Sequence, residues 1–188
     1  TRPNMIRPLG RGSALSPVLI IAVFSLCCRD LANGADEACD GLQIETTLVL
    51  LKPDAVKRGH VGAAITQFEL RGLEVMELKR YDVPPPQLLA EHYKEHAHRP
   101  FYADLIDSMS GSVVAISLRG EDCITRTREL LGPTDPRLAG PRTLRGMFGL
   151  DKTRNFAHAS DSKEAAAREY RLWFETKEWA LAEHTPIQ

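Results

Sequence analysis

Long apolar runs are scarce in this chain. The one that stands out, residues 14–28, is about fifteen residues, short of the roughly twenty that a helix needs to span a bilayer. Cysteine is scarce too. Cys27, Cys28, Cys39 and Cys123 contain no C-x-x-C pair, which argues against a zinc site. Cys123, the one thiol beyond the N-terminal region, cannot make a disulfide framework. Charge of one sign is not in excess: 24 Lys+Arg against 25 Asp+Glu leave a net charge of −1, which excludes a globally basic nucleic-acid binder. No internal repeat is present. What remains is the composition of an ordinary globular protein, and 188 residues correspond to one domain plus extensions.

Acidic residues are missing from positions 1–29, which hold Arg2, Arg7, Arg11 and Arg29. A basic start, a short apolar block and small residues near 32–35 have the pattern of a secretory leader, and arginine and serine without acids also fit an organellar presequence. Cys27 and Cys28 beside the apolar block are candidate palmitoylation sites, so residues 14–28 are the expected point of membrane contact. The competing reading is an extension unrelated to targeting, with Met5 as the true start. Residues 1–43 are therefore assigned to a leader or anchor with a linker, and 44–188 to the folded domain. Mitochondrial or secretory and membrane-associated locations follow from the leader; cytoplasmic or ciliary ones are the alternative.

Within the domain, residues 44–51 read as a strand that must stop at Pro53, since proline cannot donate to a ladder. Residues 60–71 carry Val61, Ala64, Ile65 and Phe68 at helical spacing, with Gly72 as the stop. A strand over 73–81, a helix over 87–96 opened by Pro84-Pro85-Pro86, a short helix over 101–109, a strand over 112–118 and a helix over 122–131 follow. Residues 133–155 are rich in proline and glycine, and an irregular stretch of that length inside a compact domain is usually functional. A fourth strand over 155–158 and a helix over 162–173 complete the order β-α-β-β-α-β. This predicts an α+β fold of the ferredoxin-like split βαβ type, an antiparallel sheet with helices on its faces.

The segment Asn155-Phe156-Ala157-His158-Ala159-Ser160-Asp161-Ser162 sets a histidine at a strand end beside a helix start, with Asp161 and Glu164 spaced as a capping box. A helix N-terminus favours phosphate nearby, and imidazole is a nucleophile, so the segment reads as a phosphohistidine site. Lys52-Pro53-Asp54, His92-Tyr93, Arg99-Pro100-Phe101-Tyr102, Arg128, Gly132-Pro133-Thr134 and Leu144-Arg145-Gly146 precede it in order. Taken with Asn155-x-x-His158-x-Ser160-Asp161, they resemble the nucleoside diphosphate kinase family from about Thr46 to Trp179.

That resemblance implies γ-phosphate transfer from a nucleoside triphosphate to a nucleoside diphosphate, by a ping-pong route through phospho-His158. Glu169 is the implied orienting partner of His158, and Ser160 a hydrogen-bond partner at the histidine, with helix capping as its competing role. Lys52 and Tyr93 would stand near the ribose and the transferring phosphate. Arg128, Thr134 and Arg145 would hold the outer phosphates, Asn155 would meet the sugar, and Phe101 would stack on the base. Mg²⁺ is the implied cofactor, held mainly by the nucleotide and water, so no protein metal ligand is named. Self-association is implied as well, most commonly as a hexamer. Arg142 and Arg154 read as solvated surface charges, and His92, His96 and His98 as part of a solvated helix rather than metal ligands.

Ala159 stands where the family more usually has glycine, and Met147 where it more usually has a polar residue. With 131–136 and 149–154, these look like the divergent subset that includes mitochondrial and ciliary members. The alternative function is a nucleotide-binding structural subunit of a membrane or ciliary assembly with vestigial kinase activity. The unbroken set Lys52, Tyr93, Arg128, Thr134, Arg145, Asn155 and His158 favours the enzyme. If residues 1–43 carry an address, deleting them should redistribute a tagged chain in cells; unchanged imaging would count against the leader.

Overall fold

The computed structural model describes residues 43–175. The expected leader, Cys27, Cys28, Cys39, the membrane-contact segment 14–28 and Trp179 lie outside the described residues. Strands β1 (Ile44–Leu51), β2 (Glu74–Tyr81), β3 (Val113–Glu121) and β4 (Ala157–Ala159) form one sheet in the order β2-β3-β1-β4. Every neighbouring pair is antiparallel. The helices are α1 (Pro53–Lys57), α2 (Val61–Glu69), α3 (Pro86–His92), α4 (Tyr102–Asp107), α5 (Cys123–Leu131), α6 (Leu144–Phe148) and α7 (Lys163–Tyr170). The order and topology are those of the expected α+β ferredoxin-like fold. No helix among the described residues is long and apolar enough to cross a membrane.

The central position of β1 follows from its composition. Leu48, Val49, Leu50 and Leu51 are all fully buried, so both faces of the strand are covered. Successive side chains point to opposite faces. Val49 and Leu51 join Phe68, Ile116, Leu118 and Leu131 on one side, beneath α2 and α5. Leu48 and Leu50 join Leu88, Leu89, Tyr93, Met109 and Trp173 on the other.

Several boundaries differ from the sequence reading. Pro53 ends β1 as expected, but it also occupies the first turn of α1, where its missing N–H costs nothing. The expected helix over 87–96 divides at Tyr93 into α3 and a 3₁₀ turn at Lys94–His96. The irregular stretch 133–155 contains a 3₁₀ turn (Pro136–Leu138) and α6, whose N-terminus is capped by the Thr143 hydroxyl accepting from Gly146 N–H at 3.1 Å. The N-cap of α7 is Ser162, which accepts from Ala165 N–H at 3.1 Å, so the Asp161/Glu164 capping box is not formed. Past Tyr170 the helix widens into a π turn over Arg171–Glu175.

Gly132, at the end of α5, has φ +79°, and a Cβ there would lie 2.7 Å from the Thr143 hydroxyl. Glycine is thus required both by conformation and by space. Phe68 is fully buried under the sheet. Phe68→Ala should lower stability by about 3–5 kcal/mol, read as a lower urea midpoint with an unchanged slope.

Candidate active site

The site is assembled where β1 meets β4. His158 pairs with Leu50 across the ladder, so its side chain points to the face that holds Tyr93 and Trp173. Two residues beyond Leu50, Lys52 leaves the end of β1, and its backbone N–H donates to Phe156 O at 2.9 Å. The strand segment begins with a tight turn: Ala157 N–H donates to Asn155 O at 3.0 Å across Phe156, whose φ is +79°. This is the rarer γ-turn, and positive φ on a phenylalanine stores strain. The buried Phe156 ring is stacked on Phe148, with centroids 5.5 Å apart, and that packing holds the turn. It is also why β4 begins at Ala157 rather than at Asn155. Ala159 sits in β4 opposite Val49 without positive φ, so alanine is unstrained where glycine is more usual.

Behind His158, α7 supplies Glu169, which is 4 % exposed rather than a surface carboxylate. His158 Nε2 lies 3.0 Å from Glu169 Oε2, and the Ser160 hydroxyl donates to the same oxygen at 2.7 Å. Ser160 is itself fixed by Leu48, whose N–H donates to its hydroxyl at 3.3 Å and whose carbonyl accepts from Ser160 N–H at 3.1 Å. Ser160 therefore meets the carboxylate behind the histidine and does not cap the helix. A carboxylate can only accept, so the His158 proton resides on Nε2 and Nδ1 keeps its lone pair. Among the described residues, the first turn of α7 lines neither of the cavities around His158; the helix serves the site through Glu169 instead.

Those two cavities adjoin at His158. The larger, about 550 Å³, is lined by Lys52, Tyr93, His96, Phe101, Thr134, Arg145, Asn155 and His158 among others. The smaller, about 260 Å³, adds Arg128, Gly132 and Asp161. All of the sequence-predicted nucleotide residues thus border one continuous concavity, with Glu169 and Ser160 behind it. A separate depression of about 680 Å³, lined by Asp104, Asp107, Arg137 and Asp151 among others, has mixed charge and no histidine or cysteine. Arg142 and Arg154 are exposed, as expected; Arg154 pairs with Asp151 at 2.6 Å.

Electrostatically, cations dominate the concavity. Lys52 is 4 % exposed and its Nζ donates to Thr153 O at 3.0 Å. Burial first, and then the Arg145 charge, lower its pKa from 10.5 to about 8, against the smaller pull of Asp54 and Asp151. Burial and neighbouring Arg128 lower Arg145 to about 10. Arg145 donates to three carbonyls, Asn155 O at 3.2 Å, Gly132 O at 2.7 Å and Ala157 O at 2.7 Å. A guanidinium has five N–H donors, so these bonds fix the loop and leave two to spare. Arg128 and Thr134 are exposed on the rim, and Phe101 is 51 % exposed, near His96.

Two buried polar atoms that line the larger cavity have no partner among the described residues, Tyr93 Oη and Asn155 Oδ1. Asn155 Nδ2 is spent on Thr134 O at 3.2 Å and Lys152 O at 3.0 Å. Burial, and then Glu169, push the Tyr93 phenol upward, so it stays a proton donor. One donor, one acceptor and several cations are the complement of a hydroxylated, phosphorylated ligand.

His92 was missed by the sequence reading. It is 4 % exposed rather than solvated, and Trp173 Nε1–H donates to its Nδ1 at 3.1 Å. The signal was available: Leu88, Leu89 and His92 share the apolar face of α3. One ligand-type atom each from His92, His158 and Glu169 lie within 4.8 Å of one another. The Trp173 bond places the His92 proton on Nε2, so neither nitrogen of that ring has a lone pair to offer a cation beside His158 and Glu169.

Comparisons with known proteins identify the family. The nucleoside diphosphate kinase family model matches residues 45–179. The nucleoside diphosphate kinase of Methanothermobacter thermautotrophicus is 45 % identical over 136 residues, 72 % of this chain and 90 % of that protein. That of Schizosaccharomyces pombe is 41 % identical over 145 residues, 77 % and 95 %. Among solved structures, the Aquifex aeolicus nucleoside diphosphate kinase matches with a TM-score of 0.68 at 41 % identity, covering 70 % of this chain and 96 % of that one. The Halobacterium salinarum enzyme in complex with CDP matches with a TM-score of 0.68 at 37 % identity, covering 72 % and 91 %. Fold and kinship define a phosphotransferase on a ferredoxin-like sheet. The chain belongs to the nucleoside diphosphate kinase family.

Lys52 titrates near pH 8 in the fold and near 10.5 when unfolded. Between those values the unfolded chain holds the additional proton, so stability rises with pH across the window and is lost as pH falls through 8. In the nucleotide-free protein Lys52→Met should remove that slope and raise stability at pH 7 by about 1–3 kcal/mol while impairing transfer. Urea unfolding at several pH values checks this; a variant less stable than the parent would refute it.

Proposed function

We propose that this enzyme moves the terminal phosphoryl group of a nucleoside triphosphate to a nucleoside diphosphate through phosphorylated His158. What carries the reading is the tether of His158 Nε2 to Glu169, because it leaves the Nδ1 lone pair of that ring free in a cationic concavity. In the first half-reaction Nδ1 attacks the γ-phosphorus, and the bond to the β–γ bridging oxygen breaks. That oxygen keeps the electron pair, and the nucleoside diphosphate departs. In the second, a terminal oxygen of another diphosphate attacks the same phosphorus, the N–P bond breaks, and Nδ1 recovers its lone pair. The Nε2 proton stays hydrogen-bonded to Glu169, so Glu169 and Ser160 position rather than react.

The other roles follow from chemistry and placement. Arg128 and Arg145 meet the outer phosphates with forked donors. Lys52 and the Tyr93 hydroxyl serve the transferring group, with Thr134 on the phosphate side. Asn155 Oδ1 accepts from a sugar hydroxyl, and the exposed Phe101 ring stacks on a base of any identity. The cavities offer cations and neutral donors, with Asp161 the acid at their edge. They therefore suit Mg²⁺ held by phosphate oxygens and water; when bound, it neutralises phosphate charge. Residues 44–188 are proposed as the catalytic domain. Self-association is part of the proposal, supported by the exposed Met76 and Leu78 on edge strand β2.

With γ-labelled ATP, Mg²⁺ and no acceptor, the full chain should take up acid-labile, base-stable label and pass it to an added diphosphate. His158→Ala should lose transfer by more than about 1,000-fold. Substantial residual transfer would sink the mechanism. Absence of label in folded, nucleotide-binding protein would favour the structural-subunit reading.

A further inference from the structure

The roles above leave a buried polar side chain beside His158 unused. His92 ends α3 with its ring against His158, centroids 4.7 Å apart and planes at 83°. Trp173 Nε1 can only donate, so His92 Nδ1 accepts and the neutral ring carries its proton on Nε2. That Nε2 is buried without a partner among the described residues. Burial first, then the positive charge that His158, Arg168, His96 or Lys52 can carry, hold His92 well below the ordinary histidine range, so it stays neutral. An imidazole in this setting can give a proton's partial charge to its neighbour but cannot accept one.

His158 has a requirement that such a neighbour serves. Glu169 orients the ring from Nε2 at 3.0 Å, but attack on phosphorus needs the lone pair at Nδ1, and an imidazolium has none. We propose that His92, locked by Trp173 as the Nε2–H tautomer, is a positioning residue that keeps His158 neutral. The inference rests on His158 being the phosphorylated group. Around the pair stand Glu169 and Arg168 from α7, Lys52 from the end of β1, and Tyr93 and His96 after α3. Arg128, Arg145 and Asp161 border the cavity beside His158, so the acids around the pair are Glu169 and Asp161 and the rest are cations or the neutral phenol. The opposite His92 tautomer would turn a lone pair toward His158 and let the two rings share a proton.

The test is the pH dependence of single-turnover labelling of the full chain by γ-labelled ATP. Trp173→Phe keeps an aromatic ring and removes the N–H that fixes the tautomer. Its acid limb should move to higher pH by about 0.5 unit or more, making labelling roughly threefold slower near pH 6 and converging with the parent above pH 8. His92→Phe should shift likewise, and His92→Gln, which restores an N–H donor, should shift less. Limbs that superimpose, or a slowing that is equal at every pH, would overturn the inference in favour of packing. Nitrogen-15 spectra of the parent histidines give a second reading without mutation: a proton on Nδ1 of His92 would overturn it, and one on Nε2 would support it. If the parent takes no label, the His158 mechanism fails and this inference with it; label with unshifted limbs sinks this inference alone.

Discussion

The short antiparallel ladder between β1 and β4 is the contact on which the rest of the site depends. Three residue pairs, Val49 with Ala159, Leu50 with His158 and Leu51 with Ala157, set the register. A slip of one residue would turn His158 to the opposite face, under α2 and α5, and away from Glu169 and Tyr93. The same register brings the Phe156 carbonyl to the Lys52 N–H and so sets the lysine and the histidine on one rim. The strained turn at Phe156, the Ser160–Leu48 bonds and the three carbonyls gathered by Arg145 all brace this ladder from its ends. A strand of three residues would be marginal by itself; it persists because its neighbours leave it one arrangement.

Bracing has an electrostatic cost. Lys52 and Arg145 are drawn into partial burial beside each other, and the lowered pKa of each reports the penalty. Such a site is preorganised for anions: the repulsion is present before the ligand arrives, and phosphate oxygens relieve it. Stability and function therefore pull apart at Lys52. Glu169 presents the reverse case. Its buried carboxylate is offset by hydrogen bonds from Ser160 and His158, with Arg168 nearby at 3.7 Å, so the charge is satisfied locally and the histidine is aimed as a consequence.

Much of this was legible in the residues. The run Leu48–Leu51 and its stop at Pro53, and the helix over 60–71 with its stop at Gly72, are local signals, each read by a rule of a few residues' range. The motif residues at the site were legible through family resemblance, because their spacing along the chain is as specific as their identity. Other features were not. The capping box at Asp161 was a fair pattern, but the chain turned one residue later and Ser162 took the cap. Without the resemblance, Glu169 looks like a surface carboxylate on a polar helix, and it is the packing of α7 against the sheet that buries it. His92 lies with Leu88 and Leu89 on the apolar face of α3, a periodicity that the charged residues around it mask.

The sequence by itself determined the order of the elements, the residues able to handle phosphate, and the family, since these depend on neighbours along the chain or on a pattern of types. Tertiary structure alone decided which nitrogen of His158 is free, that Arg145 spends three donors on the loop, and that Trp173 sets the tautomer of His92. Those outcomes depend on contacts between residues 81 and 11 positions apart, as for His92–Trp173 and His158–Glu169, and on how completely water is excluded between them. Hydrogen-bond direction and proton position are properties of an environment, and the environment exists only once β4, α3 and α7 have packed.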